Sequence, residues 1–147
     1  MATQTQLVTG TDFICVPTKD FEKSVEFYRD VLGLQESKQW GEMPGKEFET
    51  GSLTIAVMQS DGFGLDFAPH THPIALQVDD VHAARAELEE KGVEFAADTI
   101  DSGVCHMAYF ADPDGNGLML HHRYAPPDAK PSDLEATTAE LTGREVA

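Results

Sequence analysis

Basic residues are scarce in this chain: 10 Lys and Arg stand against 26 Asp and Glu, for a formal net charge of −16 at pH 7. A surface that neutralises several phosphates needs clustered cations, so nucleic acid is not an expected partner. Cysteine is nearly absent as well. Cys15 and Cys105 fall on separate expected strands, and with no export signal the plain reading of each is a buried thiol, neither a disulfide nor a nucleophile. No apolar run reaches the ~20 residues of a membrane helix. Residues 1–10 hold no basic residue and no long apolar run, so the reading expects no secretory signal, no membrane partner and a cytoplasmic location.

What is present suits a packed domain. With 147 residues and a 41% hydrophobic fraction, the chain is long and apolar enough to bury a sizeable core. The expected organisation is a single domain over residues 11–124, made of modules 11–61 and 72–124, with an N-terminal extension 1–10 and a tail 125–147. Residues 62–71, rich in Gly, Pro and His, read as the hinge between halves. In the tail, Ser132 and Glu135 have capping-box spacing for a short helix to Leu141, so the tail is expected to be mobile or to settle on a partner subunit. Five tail acids against Lys130 and Arg144 leave −3 there and −13 in the body. That acidity keeps the chain in solution and also favours cationic over anionic ligands.

The organising feature is a phrase written twice. Residues 13–33 and 73–92 each run from an extended apolar stretch through an aspartate into a helical pattern ended by glycine, with Phe13, Asp20 and Phe21 matching Pro73, Asp80 and Val81 at an offset of 60. Asp20 and Asp80 are placed as N-caps. Phe21, Val25, Tyr28 and Leu32 recur at helical spacing, as do Val81, Ala84 and Leu88, and Gly33 and Gly92 are free to take positive φ and stop the helices. Further strands are expected over 47–49 and 53–59, then over 105–111 and 118–124. Between the last two, Asp112-Pro113-Asp114-Gly115-Asn116-Gly117 is turn chemistry and the sharpest hairpin signal in the chain.

These segments carry a resemblance. The phrase ending FYRDVLGL, the segment VDDVHAARAELEEKGV and the run YFADPDGNGLMLH, spread over most of residues 11–124, resemble the vicinal-oxygen-chelate superfamily of glyoxalases, bleomycin-resistance proteins and extradiol dioxygenases. The resemblance implies an α+β fold of two βαβββ modules forming a curved mixed sheet around a cavity, commonly in a homodimer. It also implies metal ligands on the first and last strands of each module. Carried over residue by residue, those positions are Phe13, a residue near Ala56, Pro73 and Met119. Phe, Ala and Pro side chains offer no lone pair, and a thioether is soft where such sites use imidazole and carboxylate, so no metal and no cofactor is expected.

Spacing bears on the remaining titratable residues. His70 and His72 alternate and would share a face of an extended segment, but spacing supplies no carboxylate partner, and a solvated hinge explains them. His121 shares strand parity with Met119, which makes it the better candidate for a hydrogen bond to a ligand or for general base work; His106 and His82 are weaker, with His82 on an exposed helix face. Glu47 and Glu49 share a strand face and read as solvated. Phe13, Trp40, Phe48, Met58, Met107, Tyr109, Met119 and His121 form the expected ligand-binding set, although core filling explains each apolar member singly.

Three functions fit. The first is a metal-independent binder of a small organic molecule, cationic or aromatic, as in bleomycin-resistance-like sequestration. The second is a glyoxalase- or dioxygenase-like enzyme with non-standard ligands or with acid–base work by His121, His106 or a glutamate. The third is an interaction module with a vestigial cavity.

Overall fold

The computed structural model describes residues 6–128, so the expected helix over 132–141 lies outside the described residues. The chain divides into two compact units, Met1–Phe67 and Ala68–Ala147. In the first, strand β1 (Ile14–Thr18) leads into helix α1 (Phe21–Glu26), followed by β2 (Gln35–Gln39), β3 (Gly45–Glu49) and β4 (Thr54–Gln59). In the second, β5 (Ile74–Gln77) leads into α2 (Val81–Glu90), followed by β6 (Ile100–Asp101), β7 (Cys105–Ala111) and β8 (Gly117–Arg123). Each unit therefore has the expected βαβββ order, and the fold is α+β.

Both sheets have the same topology. Their strand orders are β1-β4-β3-β2 and β5-β8-β7-β6. The first strand of each lies parallel to the last, and the remaining pairs are antiparallel. A parallel pair needs a long crossover, which α1 and α2 begin.

The repeated aspartates act as caps. Asp20 Oδ1 accepts from the Lys23 N–H at 3.3 Å and Asp80 Oδ1 from the Ala83 N–H at 3.1 Å, satisfying donors that the first helical turn leaves free. Gly33 and Gly92 leave the helices at φ 72° and 92°, where a Cβ would be strained.

The first helix differs from the expected continuous one. Its α-helical part ends at Glu26, and Phe27–Val31 is a π-helical turn in which the Leu32 N–H bonds to the Phe27 carbonyl at 3.0 Å. Each residue turns through a smaller angle in this wider geometry, so Phe27 and Tyr28, adjacent in sequence, are both buried with Val25.

The strand expectation also needs correction. Strand β2 was not anticipated, because Gln35-Glu36-Ser37-Lys38-Gln39 is polar and exposed at every position and has no apolar alternation to read. It is an edge strand, with an irregularity between Glu36 and Lys38, and its charges deter pairing with another chain. Glu36, in register with Phe48 on the helix side, is paired twice: Arg29 and Lys46 both reach it, at 3.4 and 3.3 Å.

Each sheet buries one face against its helix. Val16, Phe48, Ile55 and Val57 are fully buried in the first unit with Tyr28, whose ring centroid is 6.0 Å from that of Phe48. Val81 and Leu88 of α2 pack on β7 and β8 in the second, where Ala108, Phe110, Leu118 and Leu120 are buried. Each such large apolar side chain contributes roughly 1.5–3 kcal/mol by leaving water.

The hairpin between β7 and β8 is tied to the segment that precedes β5. The buried Asp112 carboxylate accepts from the N–H groups of Asp114 and Asn116, both at 2.9 Å, and from Asn116 Nδ2 at 2.7 Å. Asn116 is fully buried, and its Oδ1 accepts from the His70 N–H at 3.1 Å, while the His70 carbonyl accepts from Gly117 at 2.9 Å. A Cβ on Gly117 would sit 2.8 Å from the Thr71 carbonyl oxygen, so glycine is what permits this approach.

Candidate functional site

Strand register decides which side chains share a face, because partners across adjacent strands point to the same side. In the first unit Cys15 and Glu47 both pair with Ala56, and Pro17 and Gly45 both pair with Met58. These six residues occupy the face opposite the helix. Phe48, one residue from Glu47, points to the helix side and is buried beside Tyr28. It is a core residue and does not join the expected ligand-binding set on the open face.

Trp40 lies over that face. Its indole covers Gly45 so closely that a Cβ there would stand 2.3 Å from Cε3, which makes the missing side chain the seat of the ring. The indole Nε1–H donates to Glu47 Oε2 at 2.7 Å. Phe13, 40% exposed, and Phe63 flank it, with centroids 5.5 and 5.8 Å from the Trp40 ring. Tilted and edge-on contacts at these distances are favourable for aromatic pairs. The result is a three-ring shelf with a carboxylate at its edge. Met58 shares this face and is half-buried.

Two other groups on the face behave differently from expectation. Cys15 is exposed as a residue, where a buried thiol was expected, and partial desolvation of its thiol, followed by the Glu47 charge, pushes its pKa up, so the thiol stays protonated and is a poor nucleophile. Glu49 is not simply solvated: Ser37 and Thr54 donate to its carboxylate, at 2.5 and 2.6 Å, and hold it below the usual carboxylate range.

In the second unit, register places Met107 opposite His121, Tyr109 opposite Met119, Met119 beside Ala75 and His121 beside Gln77. Four expected site residues, Met107, Tyr109, Met119 and His121, thus share the face opposite α2, all half-buried. The Tyr109 hydroxyl contacts Met107 Sδ at 3.8 Å. Beside them a pocket of about 350 Å³ is lined by Ala75, Gln77, His121, His122 and Arg123.

The remaining histidines lie elsewhere. His106 and His122 pair across β7 and β8 on the helix side. His106 Nε2 is 3.5 Å from Asp101 Oδ2, and its ring packs against His82 and Tyr124, so exposed His82 has a ring partner. The Tyr124 hydroxyl donates to Asp101 at 2.7 Å. That bond, with help from the Gly103 N–H, holds Asp101 below the usual carboxylate range, and the same carboxylate pushes Tyr124 up. His70 Nδ1 is 3.2 Å from the His72 carbonyl, and His72 is exposed. Among the described residues no group of three His, Cys, Asp or Glu side chains is placed to hold a metal ion.

A family model for the Glyoxalase/Bleomycin resistance protein/Dioxygenase superfamily matches residues 10–120. The chain belongs to this superfamily. Among curated relatives, YraH of Bacillus subtilis (strain 168), an uncharacterized protein, is 31% identical over 114 residues, covering 69% of this chain and 89% of YraH. Lactoylglutathione lyase of Schizosaccharomyces pombe is 26% identical, covering 82% of this chain and 50% of the lyase, so the chain spans about half the length of that relative. Among solved structures, TnmS3, an antibiotic binding protein from Streptomyces sp. CB03234, superposes with a TM-score of 0.68 at 23% identity, covering 81% of this chain and 99% of TnmS3.

Within this superfamily member, the positions that the sequence resemblance matched to metal ligands are dispersed in character. Phe13 is in the aromatic shelf, Ala56 is fully buried between Cys15 and Glu47, Pro73 precedes β5, and Met119 faces Tyr109 across the strand pair. Sequence reasoning missed Glu47 as a partner of Trp40, and also Phe63, Gln77 and Arg123. The alternation of Phe48 with Glu47 was a usable signal, since one of the two had to face away from the core.

Proposed function

We propose that this protein binds a small organic molecule without a metal, and that the ligand is planar and aromatic, with a cationic form favoured at the first unit. The observation that carries the reading is the Phe13–Trp40–Phe63 shelf with Glu47 at its edge. Flat rings offer stacking area, and a nearby carboxylate rewards positive charge on the stacked partner. Met107, Tyr109, Met119 and His121 supply a similar mixture of soft apolar surface and a few polar groups in the second unit.

Metal independence rests on donor chemistry. The four matched positions, Phe13, Ala56, Pro73 and Met119, do not fit a borderline or hard cation, because three have no side-chain lone pair and the fourth is a thioether. The antibiotic-binding relative is a precedent for binding on this fold. We extend the reading to the homodimer that the sequence resemblance implies; light scattering at 16.0 kDa would refute that extension.

Thermal unfolding with EDTA, Zn, Ni and Mn, run beside a panel of planar cationic, neutral and anionic compounds, tests the proposal. Ligand at 100 times its dissociation constant stabilises by about 2.7 kcal/mol, and binding at the shelf changes the emission of the single tryptophan. The expected result is a shift with planar cations and none with metals or chelator. A metal-dependent rise reversed by EDTA and lost in His121→Ala or His72→Ala would overturn it in favour of an enzyme of the lyase type.

A further inference from the structure

We infer that the pocket beside β5 and β8 is an oxyanion site that takes a carboxylate or phosphoryl group of a small molecule. The inference stands on different residues from the aromatic shelf and does not depend on it. The pocket, about 350 Å³, is lined by Ala75, Gln77, His121, His122 and Arg123, with no Asp or Glu among them. In a chain with 26 acidic and 10 basic residues, a lining whose open-face side chains are one guanidinium, one imidazole and one amide beside Ala75, with no carboxylate, departs from the composition of the whole.

The donors are held but not used up. Register fixes Gln77 directly beside His121 on adjacent parallel strands, so their side chains rise from the same face. Arg123 is one alternation further along β8, on that face as well, and a single guanidinium nitrogen, Nη2, is anchored by the Pro126 carbonyl at 2.9 Å. An arginine carries five N–H donors and keeps its charge throughout the accessible pH range. Its other donors, the Gln77 amide and the His121 ring have no hydrogen-bond partner among the described residues.

Alternative occupants fit less well. A cation would meet the Arg123 charge with no carboxylate to offset it. An apolar group would bury amide, imidazole and guanidinium donors without partners, which is costly for each. An oxyanion accepts from all three kinds of donor at once, and charge-assisted bonds of that type are the stronger ones.

The test is a chemical-shift titration of the full-length protein with sodium phosphate and, separately, sodium acetate, against sodium chloride at matched ionic strength. Saturable shifts are expected at residues 75–78 and 121–123 with at least one of the two anions; which one saturates distinguishes the phosphoryl from the carboxylate source. Arg123→Met should weaken binding at least tenfold and Gln77→Leu several-fold, while Lys23→Gln, an equal loss of charge on α1, should leave it unchanged. Two variants with retained spectral dispersion guard against a folding artefact. Shifts that match those in chloride, an absence of saturation with both anions, or wild-type affinity in Arg123→Met would each overturn the assignment. None of these outcomes depends on whether planar cations bind at Trp40.

Discussion

Gly45→Ala is the substitution that examines the aromatic shelf most directly. The backbone itself tolerates alanine, since Gly45 is a strand residue outside the left-handed region, and replacing glycine there restricts the unfolded chain, a gain of about 0.4–1 kcal/mol. The new methyl, however, would stand 2.3 Å from Trp40 Cε3, where ordinary contact begins at 3.4 Å, so the indole must retreat by about 3.4 − 2.3 = 1.1 Å. That retreat strains a 2.7 Å bond from Nε1 to Glu47 and loosens the contacts with Phe13 and Phe63. Loss of one charge-assisted hydrogen bond is worth roughly 1.5–3 kcal/mol at most, and ring contacts roughly 0.5–1.5 each, both reduced by partial exposure. The expected net effect is a destabilisation of about 1–2 kcal/mol. Urea unfolding followed by circular dichroism measures it, and Trp40 emission, which shifts to the red as the ring leaves its seat, identifies the cause. In the Trp40→Ala background the same Gly45→Ala change should become neutral or stabilising. A Gly45→Ala protein that is as stable as the parent with unchanged emission would refute the reasoning.

Asn116→Ala removes a fully buried amide that bridges Asp112 and His70, leaving a buried carboxylate short of a donor, so a loss of about 2–4 kcal/mol is expected in thermal or urea unfolding; a loss below 1 kcal/mol would show that the hairpin does not depend on the bridge. Ser24→Ala removes a fully buried hydroxyl whose Oγ has no hydrogen-bond partner among the described residues, and should be neutral or stabilising by up to about 1 kcal/mol, whereas marked destabilisation would contradict the unsatisfied geometry. The Tyr124–Asp101 bond should fail at both ends of the pH scale. Asp101 is held below the usual range, so its contribution is present above the unfolded carboxyl value near 4 and is lost as pH falls through the lower folded value; Tyr124 is held above its ordinary value, so its contribution is present below about pH 10 and is lost as pH rises through the higher folded value. The melting-temperature difference between wild type and Tyr124→Phe should therefore be constant through neutral pH and shrink beyond both limits, and a flat difference would rule this out.

The elements that could be read from the chain were those where local chemistry and global position agree. Asp20, Asp80, Gly33 and Gly92 each perform in the structure the capping or stopping role their type suggests, and the Asp112–Gly117 run forms its hairpin. Strand β2 was illegible because an exposed edge strand has no buried face to impose alternation on Gln35–Gln39. The π-helical turn was illegible because the same apolar residues satisfy a 3.6-residue period until Phe27 and Tyr28 must both be buried. Site residues failed on parity. Met107, Tyr109, Met119 and His121 were brought together as expected, since one hairpin sets their register, while Phe48 and Glu47 exchanged roles because no turn in the sequence fixed which of them faced the helix. The seat of Trp40 on Gly45 depends on a contact between a loop and a strand that no periodicity records.

The parallel pairing of first and last strands has a kinetic consequence. Joining Ile14 to Ile55 closes a loop of 55 − 14 = 41 residues, and joining Ile74 to Leu118 closes one of 118 − 74 = 44. By the logarithmic dependence of closure entropy on loop length, each costs about 3 kcal/mol beyond a constant, and the two costs are nearly equal. Neither closure has to wait for the other. All four strands of the first sheet lie upstream of β5, so during synthesis that sheet has its complete set of partners before the second begins to emerge. A chain made from one end thus searches two short registers in succession and never one long one, which shortens the time its unpaired edges are open to other chains.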